Sequence, residues 1–242
     1  MHSLLESVAK GREILLVVAA PIEAMAVFRG LGAISTSGPA GVGRLWERVR
    51  VVDGIDLVLM GVGKANAAGA VAHCVRPSDG LILNLGIAGA LPGAGKSFAL
   101  HAGDTVVASH CVFADEGLMT DQGFADLGSI GFPIDPVLGS TFACDGRLVE
   151  AFGAGSISTG TIATVSTCSA TDALAQAIAA RTDGVAESME GAACALVAHR
   201  LEIPFCEIRA ISNYTGSRSS QQWNIKQALS ALESLVASVM LA

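Results

Sequence analysis

Glu23, Glu190 and Asn213 are the side chains whose types and settings suit them to chemistry. Glu23 lies just beyond the apolar run Ile14–Val18, where open α/β sheets place their ligands. Its neighbours Ile22, Ala24, Met25 and Ala26 are apolar, so its setting reads as dry. Burial raises the pKa of a carboxylate and suits it to act as a base. A first-turn glutamate that stabilises a helix N-terminus explains the same spacing, and on spacing alone it is the simpler account. Glu190 stands between Met189 and Gly191, at the start of an Ala-rich stretch. A buried carboxylate needs partners, and two vicinal hydroxyls of a ribose would give one donor to each of its oxygens. An acid at a helix N-terminus competes with that reading too. Ser212 and Asn213 end the apolar run Phe205–Ile211, again a ligand-facing position, although an Asn there is often a turn residue. All of them fall at strand or helix ends of what reads as one sheet.

Two glycine-rich segments fail as phosphate sites. Gly93-Ala94-Gly95-Lys96-Ser97 looks like the end of a P-loop, but the pattern needs a glycine where Ala90 stands, and Pro92 breaks the loop. Gly61-Val62-Gly63 follows a strand, but Asn66 occupies the place of the third dinucleotide-site glycine. The next strand ends in Asn84-Leu85 without the ribose-binding acid of that motif, and the nearest acid, Asp79, precedes it. A tight strand-to-helix turn accounts for the segment.

Stepwise along the chain, buried-strand runs are Ile14–Val18, Ile55–Met60, Leu81–Leu85, Asp104–Ala108, Thr161–Val165 and Phe205–Ile211. Arg44–Val52 alternates loosely into Asp53-Gly54, a strong hairpin signal, after a Gly-rich turn over Gly38–Gly43. Helical spacing covers Ile22–Leu31, Ala65–Cys74, Thr171–Arg181, Met189–Leu201 and Gln221–Leu241, with Thr171 or Ser169 as an N-cap and Pro204 as a stop. Between His110 and Val149 the pattern dissolves among Gly123, Gly128, Gly131, Pro133 and Pro136, and a substrate-shaping loop is expected there. Alternating strands and helices predict a single domain over 1–242, a three-layer αβα sandwich around a mixed sheet.

The bulk properties agree. A chain of 242 residues, 51% hydrophobic and 15% charged, can bury a large core. A net charge of −7 without a basic cluster argues against nucleic acid. Cysteines 74, 111, 144, 168, 194 and 206 show neither CxxC pairs nor metal-ligand spacing, so they read as buried free thiols of a reducing compartment, and no metal or cofactor is expected. Met1–Lys10 is not a signal peptide and Ile14–Ala20 is too short to cross a bilayer, so the protein is expected to be cytoplasmic, with no membrane partner.

The stretch SMEGAACALVAHRLEIPFCEIRAISN, with GVGKANAA at Gly61, NLGIAGAL at Asn84 and GDTVVAS at Gly103, resembles the purine nucleoside phosphorylase/nucleosidase superfamily, and within it the futalosine hydrolases. The resemblance covers nearly the whole chain. It implies a nucleoside phosphorylase-like fold, a homo-oligomer (dimer or higher) and a small-molecule nucleoside substrate, futalosine, cleaved by water to hypoxanthine and dehypoxanthine futalosine in menaquinone biosynthesis. It also implies roles. Glu23 matches the carboxylate that activates water in the related 5′-methylthioadenosine/S-adenosylhomocysteine nucleosidases. Ala88 and Gly89 match the backbone under base and ribose. Met189 packs on the sugar, Glu190 holds its hydroxyls, and Ser212 and Arg209 flank Asn213 in support. Asn213 replaces the aspartate that protonates adenine.

That replacement carries information about the base. A departing 6-oxopurine protonated on its imidazole ring presents one donor beside one acceptor, which an amide matches; an aminopurine presents two donors, which it does not. Phosphorylases of the superfamily use arginines where this chain offers Glu23 and Asn84, so water is the expected nucleophile. Arg218, Arg44 or a residue of 110–149 is expected to bind the carboxylate of futalosine, with Trp223 packing over its ring or capping the last helix. The alternatives are an adenine-type nucleosidase, a 6-oxopurine nucleoside phosphorylase, and a nucleoside sensor on the same fold.

Overall fold

The structure is a computed structural model and describes residues 1–33, 42–93, 99–155 and 157–240. Most of the Gly38–Gly43 turn and the tail of Gly93–Ser97 lie outside the described residues. In chain order the elements are α1 (His2–Val8), β1 (Glu13–Val18), α2 (Pro21–Gly30), β2 (Arg48–Val52), β3 (Ile55–Leu59) and α3 (Lys64–Cys74). Next come β4 (Asp79–Ala90), β5 (Thr105–Phe113), β6 (Gly117–Thr120), β7 (Gly123–Asp126), β8 (Thr141–Ala143) and α4 (Gly146–Gly153). The chain continues through β9 (Ser158–Thr164), α5 (Asp172–Thr182), β10 (Gly184–Ser188), α6 (Gly191–Arg200), β11 (Phe205–Tyr214) and α7 (Ile225–Met240).

The large sheet runs β10-β9-β5-β11-β4-β1-β3-β2, with β8 added beside β5. It is mixed, as expected: β1, β3, β4 and β11 run parallel, while β5 meets β11 antiparallel and β2 turns back on β3. The Asp53-Gly54 hairpin forms as its sequence predicts, Gly54 taking φ +73. Helices α2 and α7 pack together, as do α3 and α6. β4 lies between β1 and β11 and is buried along nearly its whole length, which is why its residues need no polar alternation. One feature exceeds the sandwich: β10 pairs antiparallel with β4 as well as parallel with β9, so β4, β11, β5, β9 and β10 close on themselves.

That closure corrects several boundaries. β4 does not stop at Leu85 but continues through Gly86-Ile87-Ala88-Gly89, because β10 and β11 give its second half hydrogen-bonding partners. β11 likewise runs past Ile211 to Tyr214, with a register shift between Ile211 and Asn213. β10 is a strand with no apolar run of its own; pairing with β4 and β9 creates it. Met189 and Glu190 are therefore not helical, and α6 starts at Gly191. The 110–149 segment is also more regular than expected, since β5 extends to Phe113 and is followed by the β6–β7 hairpin, β8 and α4. Thr171 does cap α5, its hydroxyl accepting from Leu174 N at 3.2 Å. Among the described residues no helix is long and apolar enough to cross a membrane.

Arg48 ties the edge of the sheet to its centre. Its guanidinium donates to both oxygens of Asp79 at 2.7 Å, to Glu13 at 3.1 Å and to Asp56, so one side chain on β2 links β1, β3 and β4. Asp79 is thus a structural acid. The arginine, Asp56 and Asp79 side chains are all at most 4% exposed. Removing one member of such a cluster strands the others as unpaired buried charges. Arg48→Ala is expected to cost about 3–5 kcal/mol in urea denaturation; a loss below about 1 kcal/mol, as for an exposed pair, would show the cluster to be solvated.

Candidate functional site

Glu23 is positioned by the turn from β1 into α2. Pro21 fits the first helical turn, where its missing N–H is not needed. Ala20, the N-cap, has no side-chain acceptor, and Glu23 reaches back instead: its Oε2 accepts from Ala20 N at 2.8 Å and Ala19 N at 3.1 Å. Its Oε1 accepts from Ile87 N on β4 at 2.8 Å. Glu23 therefore stabilises its helix N-terminus and also lines a cavity. It is 3% exposed. Burial pushes its pKa up, Arg209 pulls it back, and the negative charge of Glu190 pushes it up again. This approach of α2 to β4 requires Gly86, because a Cβ there would lie 2.3 Å from Arg209 Nη1 and 2.6 Å from Glu23 Oε1.

Glu190 occupies the N-cap position of α6 but makes no side-chain cap hydrogen bond. Its Oε1 accepts from Gly63 N at 3.0 Å, and its Oε2 accepts from Arg209 Nη2 at 3.1 Å. The Gly61-Val62-Gly63 turn, with φ +91 and +95 at its glycines, aims that N–H at the carboxylate. Arg209 also donates through Nε to Glu207 Oε1 at 2.8 Å. It is buried behind the two cavity acids and does not line the cavity, so it is not beside Asn213 as expected but beneath Glu190. Alternation puts Arg209 on the same face of β11 as Glu207, and the register shift between Ile211 and Asn213 breaks that alternation before Asn213.

Asn213 is set by the extension of β11. It pairs in register with Gly89 of β4, and Glu187 of β10 pairs with the same Gly89 from the other side. Asn213 Nδ2 donates to the Tyr214 carbonyl at 3.1 Å, which fixes the orientation of the amide, and Oδ1 lies 2.8 Å from Ser212 Oγ. That leaves one amide hydrogen and one lone pair. Ser212 Oγ also lies 3.1 Å from the Ala88 carbonyl. At Gly89 a Cβ would sit 2.8 Å from Thr215 Cγ2 and 3.4 Å from Asn213 Nδ2.

These side chains meet around a cavity of about 510 Å³. Glu23, Ala88, Gly89, Met189, Glu190, Ser212, Asn213, Arg218 and Trp223 all line it, so the expected site residues other than Arg209 converge there. Arg218 stands at the mouth with its guanidinium 5.3 Å from the centre of the Trp223 ring. Arg44 is solvent-exposed beside Glu47 and does not line the cavity, and neither does any residue of 110–149. The expected substrate-shaping loop instead builds the β6–β7 hairpin. Its leading residues Asp115 and Glu116 bind Lys64.

Sequence reasoning missed Glu187, Cys168, Ser169 and Gln221, which also line the cavity. Glu187 accepts from Ser169 N at 2.9 Å and Ser169 Oγ at 2.6 Å, and burial raises its pKa against those bonds. Gln221 donates to the carbonyls of Ser169 and Gly216, and Asn224 N donates to Ser212 O at 2.7 Å, which is why α7 starts only at Ile225. No periodic signal marks these residues; the pairing of β10 with Gly89 is what brings Glu187 in. Among the described residues no cluster of His, Cys, Asp and Glu could hold a metal ion. The cavity wall therefore combines acids at Glu23, Glu187 and Glu190 with one cation, Arg218.

Comparison with known proteins gives consistent results. Residues 14–240 match the model of the Phosphorylase superfamily. A futalosine hydrolase of Streptomyces coelicolor is 36% identical over 203 residues, 77% of this chain and 79% of that protein. A futalosine hydrolase of Acidothermus cellulolyticus is 36% identical over 90% of this chain and 86% of its own. Among solved structures, the 5′-methylthioadenosine/S-adenosylhomocysteine nucleosidase of Neisseria meningitidis, in complex with methylthio-immucillin-A, superposes with a TM-score of 0.71 at 23% identity, covering 96% of this chain and 100% of that one.

The packing of Gly86 gives a direct test of the site's geometry. Gly86→Ala inserts a methyl between Glu23 and Arg209, and is expected to lower stability by about 1–3 kcal/mol, read as a reduced urea midpoint. An unchanged midpoint would mean that the two charged groups have room to part.

Proposed function

We infer the reaction from family membership: the chain belongs to the phosphorylase superfamily and is one of its nucleosidases. We propose that it is a futalosine hydrolase of menaquinone biosynthesis, a cytoplasmic enzyme that releases hypoxanthine from futalosine. The observation that carries the reading is the pairing, in one cavity, of two carboxylates with different free valences and a strand-end amide opposite them. The two relatives are named for that activity.

The remaining hydrogen-bonding capacity of each group supports a division of labour. Glu23 Oε2 already accepts two backbone N–H groups, whereas Oε1 accepts one and keeps a lone pair. Oε1 is therefore the oxygen that orients water and takes its proton. Each oxygen of Glu190 accepts one bond and keeps a lone pair for one ribose hydroxyl. As the glycosidic bond stretches toward an oxocarbenium-like state, positive charge grows on the sugar between these two acids. Asn213 offers its free N–H to the 6-oxo oxygen and its free lone pair to the newly protonated ring nitrogen. It is not an acid, so the proton reaches the base from water. Met189 and Ile87 supply the apolar walls, and Arg218 over Trp223 suits the carboxyphenyl group. A phosphate would meet Glu23 and no fork of arginines at that depth, which favours water. Exposed apolar side chains at Met119 (76%), Phe132 (73%) and Val137 (88%) support a homo-oligomer.

The decisive assay follows hypoxanthine release from futalosine with and without phosphate. Equal rates are expected, and strict phosphate dependence would overturn the hydrolase. Glu23→Gln should reduce kcat about 10²–10⁴-fold with nucleoside binding retained. Because the base works only ionised and burial raises its pKa, activity should fall as pH drops from above the ordinary carboxylate range. Asn213→Asp replaces the N–H by an acceptor, so the ratio of 6-oxopurine to 6-aminopurine turnover should fall about tenfold or more. An unchanged ratio would remove Asn213 from base selection.

A further inference from the structure

Behind the cavity lies a buried acid that the reaction does not use. Glu207 on β11 is fully buried and does not line the cavity. Its Oε1 accepts from Arg209 Nε at 2.8 Å and from Ser188 Oγ at 2.9 Å, and its Oε2 accepts from Cys111 Sγ at 2.9 Å. One carboxylate thus collects donors from β11, β10 and β5. It also fills the space at the start of α6, for a Cβ on Gly191 would lie 1.9 Å from Glu207 Oε2. Glu207 therefore grips Ser188 on one side of the Met189-Glu190 pair and abuts Gly191 on the other.

We propose that Glu207 is a positioning residue for the nucleosidase reaction, clamping the 188–191 segment so that Glu190 meets the sugar, and occupying Arg209 so that its charge does not dominate Glu23. The proposal rests on the reading of Glu190 and Glu23 as the sugar-binding and water-activating acids. The electrostatic half follows from a count of charges. Among the described residues Arg209 is the one guanidinium in contact with Glu190 and Glu207, and its field also reaches Glu23. With Glu207 in place, that positive charge is shared among acids. Without it, the same charge falls on Glu190 and Glu23 alone.

The groups facing each acid are few. Glu23 meets Arg209 of β11, Glu190 ahead of α6, and the backbone N–H groups of Ala19, Ala20 and Ile87. Glu207 meets Arg209, Ser188 and the thiol of Cys111; Cys206 lies within its influence, and Asn84 of β4 is its register partner. The Cys194 thiol of α6 feels Glu190, Arg209 and Glu207 together. Burial raises the pKa of the Cys111 thiol, which keeps it a donor. Arg209 is thus the only cation in direct contact with the acids of this cluster among the described residues. Loss of the Glu207 charge leaves Arg209 free to lower the proton affinity of Glu23, and the sign is definite. The acid limb of the pH profile must move to lower pH.

The test uses the full chain and the variants Glu207→Gln and Glu207→Asp. For Glu207→Gln, the acid limb of kcat/KM on futalosine should move down by on the order of one pH unit. Its KM for the nucleoside should rise about tenfold, while inhibition by free hypoxanthine, which needs only the Asn213 end, stays as in the wild type. Glu207→Asp keeps the charge but shortens the clamp, so its acid limb should match the wild type while KM remains raised. Should the amide variant not fold, the aspartate variant alone decides: wild-type binding of both nucleoside and base would overturn the clamp. An unmoved acid limb in a folded Glu207→Gln would overturn the electrostatic role. The wild-type run separates this from the reaction itself. Failure of the wild type to release hypoxanthine from futalosine sinks the futalosine reading, whereas the comparison of variants is read on whichever purine nucleoside the wild type cleaves.

Discussion

A single buried guanidinium, that of Arg209, sets the constraint around which the site is built. It sits where β11, β4 and the start of α6 meet, in contact with Glu190 and Glu207 and within the field of Glu23. A buried charge of this kind is tolerable only when partners surround it. The partners here come from separate parts of the chain, so the cluster exists only once the sheet has assembled. Two glycines follow from it. Gly86 is bare because the guanidinium and Glu23 fill the space over β4, and Gly191 is bare because Glu207 fills the space under α6.

The cavity follows from the way the sheet closes. β10 leaves the α/β pattern to pair with the far half of β4, and this brings Glu187 and Asn213 to opposite sides of Gly89. The turn between β3 and α3 then supplies the Gly63 N–H to Glu190. Each acid on the wall accepts at least one backbone N–H, so its free lone pairs point in fixed directions. Preorganised groups of this sort need little rearrangement when charge develops on a substrate. The mouth is formed by Arg218 and Trp223, on the segment before α7.

Much of the site was legible without coordinates. Glu23, Ser212 and Asn213 could be singled out because residues at the carboxyl ends of buried strands face a common edge of the sheet, Glu190 because it opens an Ala-rich stretch, and Met189 only through the family resemblance. Arg209 was also noticed, but its direction was not, since an in–out parity on β11 depends on which face packs against α6. Glu187 escaped because β10 has no apolar run of its own. Asp79 and Asn84 show the converse. The first is a partner of Arg48, and the second is buried away from the cavity with its amide lacking a hydrogen-bond partner among the described residues. Neither feature could be inferred from local pattern.

By itself the sequence determined the order of the main buried strands and of five helices, the mixed α/β class, the absence of a complete P-loop or dinucleotide fingerprint, and the residue types at the strand ends. These are properties of short windows: runs of apolar residues, turn glycines, and the identity of a side chain such as Asn213. Only the tertiary structure decided that β10 closes against β4, that Arg209 faces away from the cavity, and that Glu207 underlies Glu190. Those are contacts between residues distant in the chain. Their cost and benefit appear only when buried charges must find partners across several strands at once.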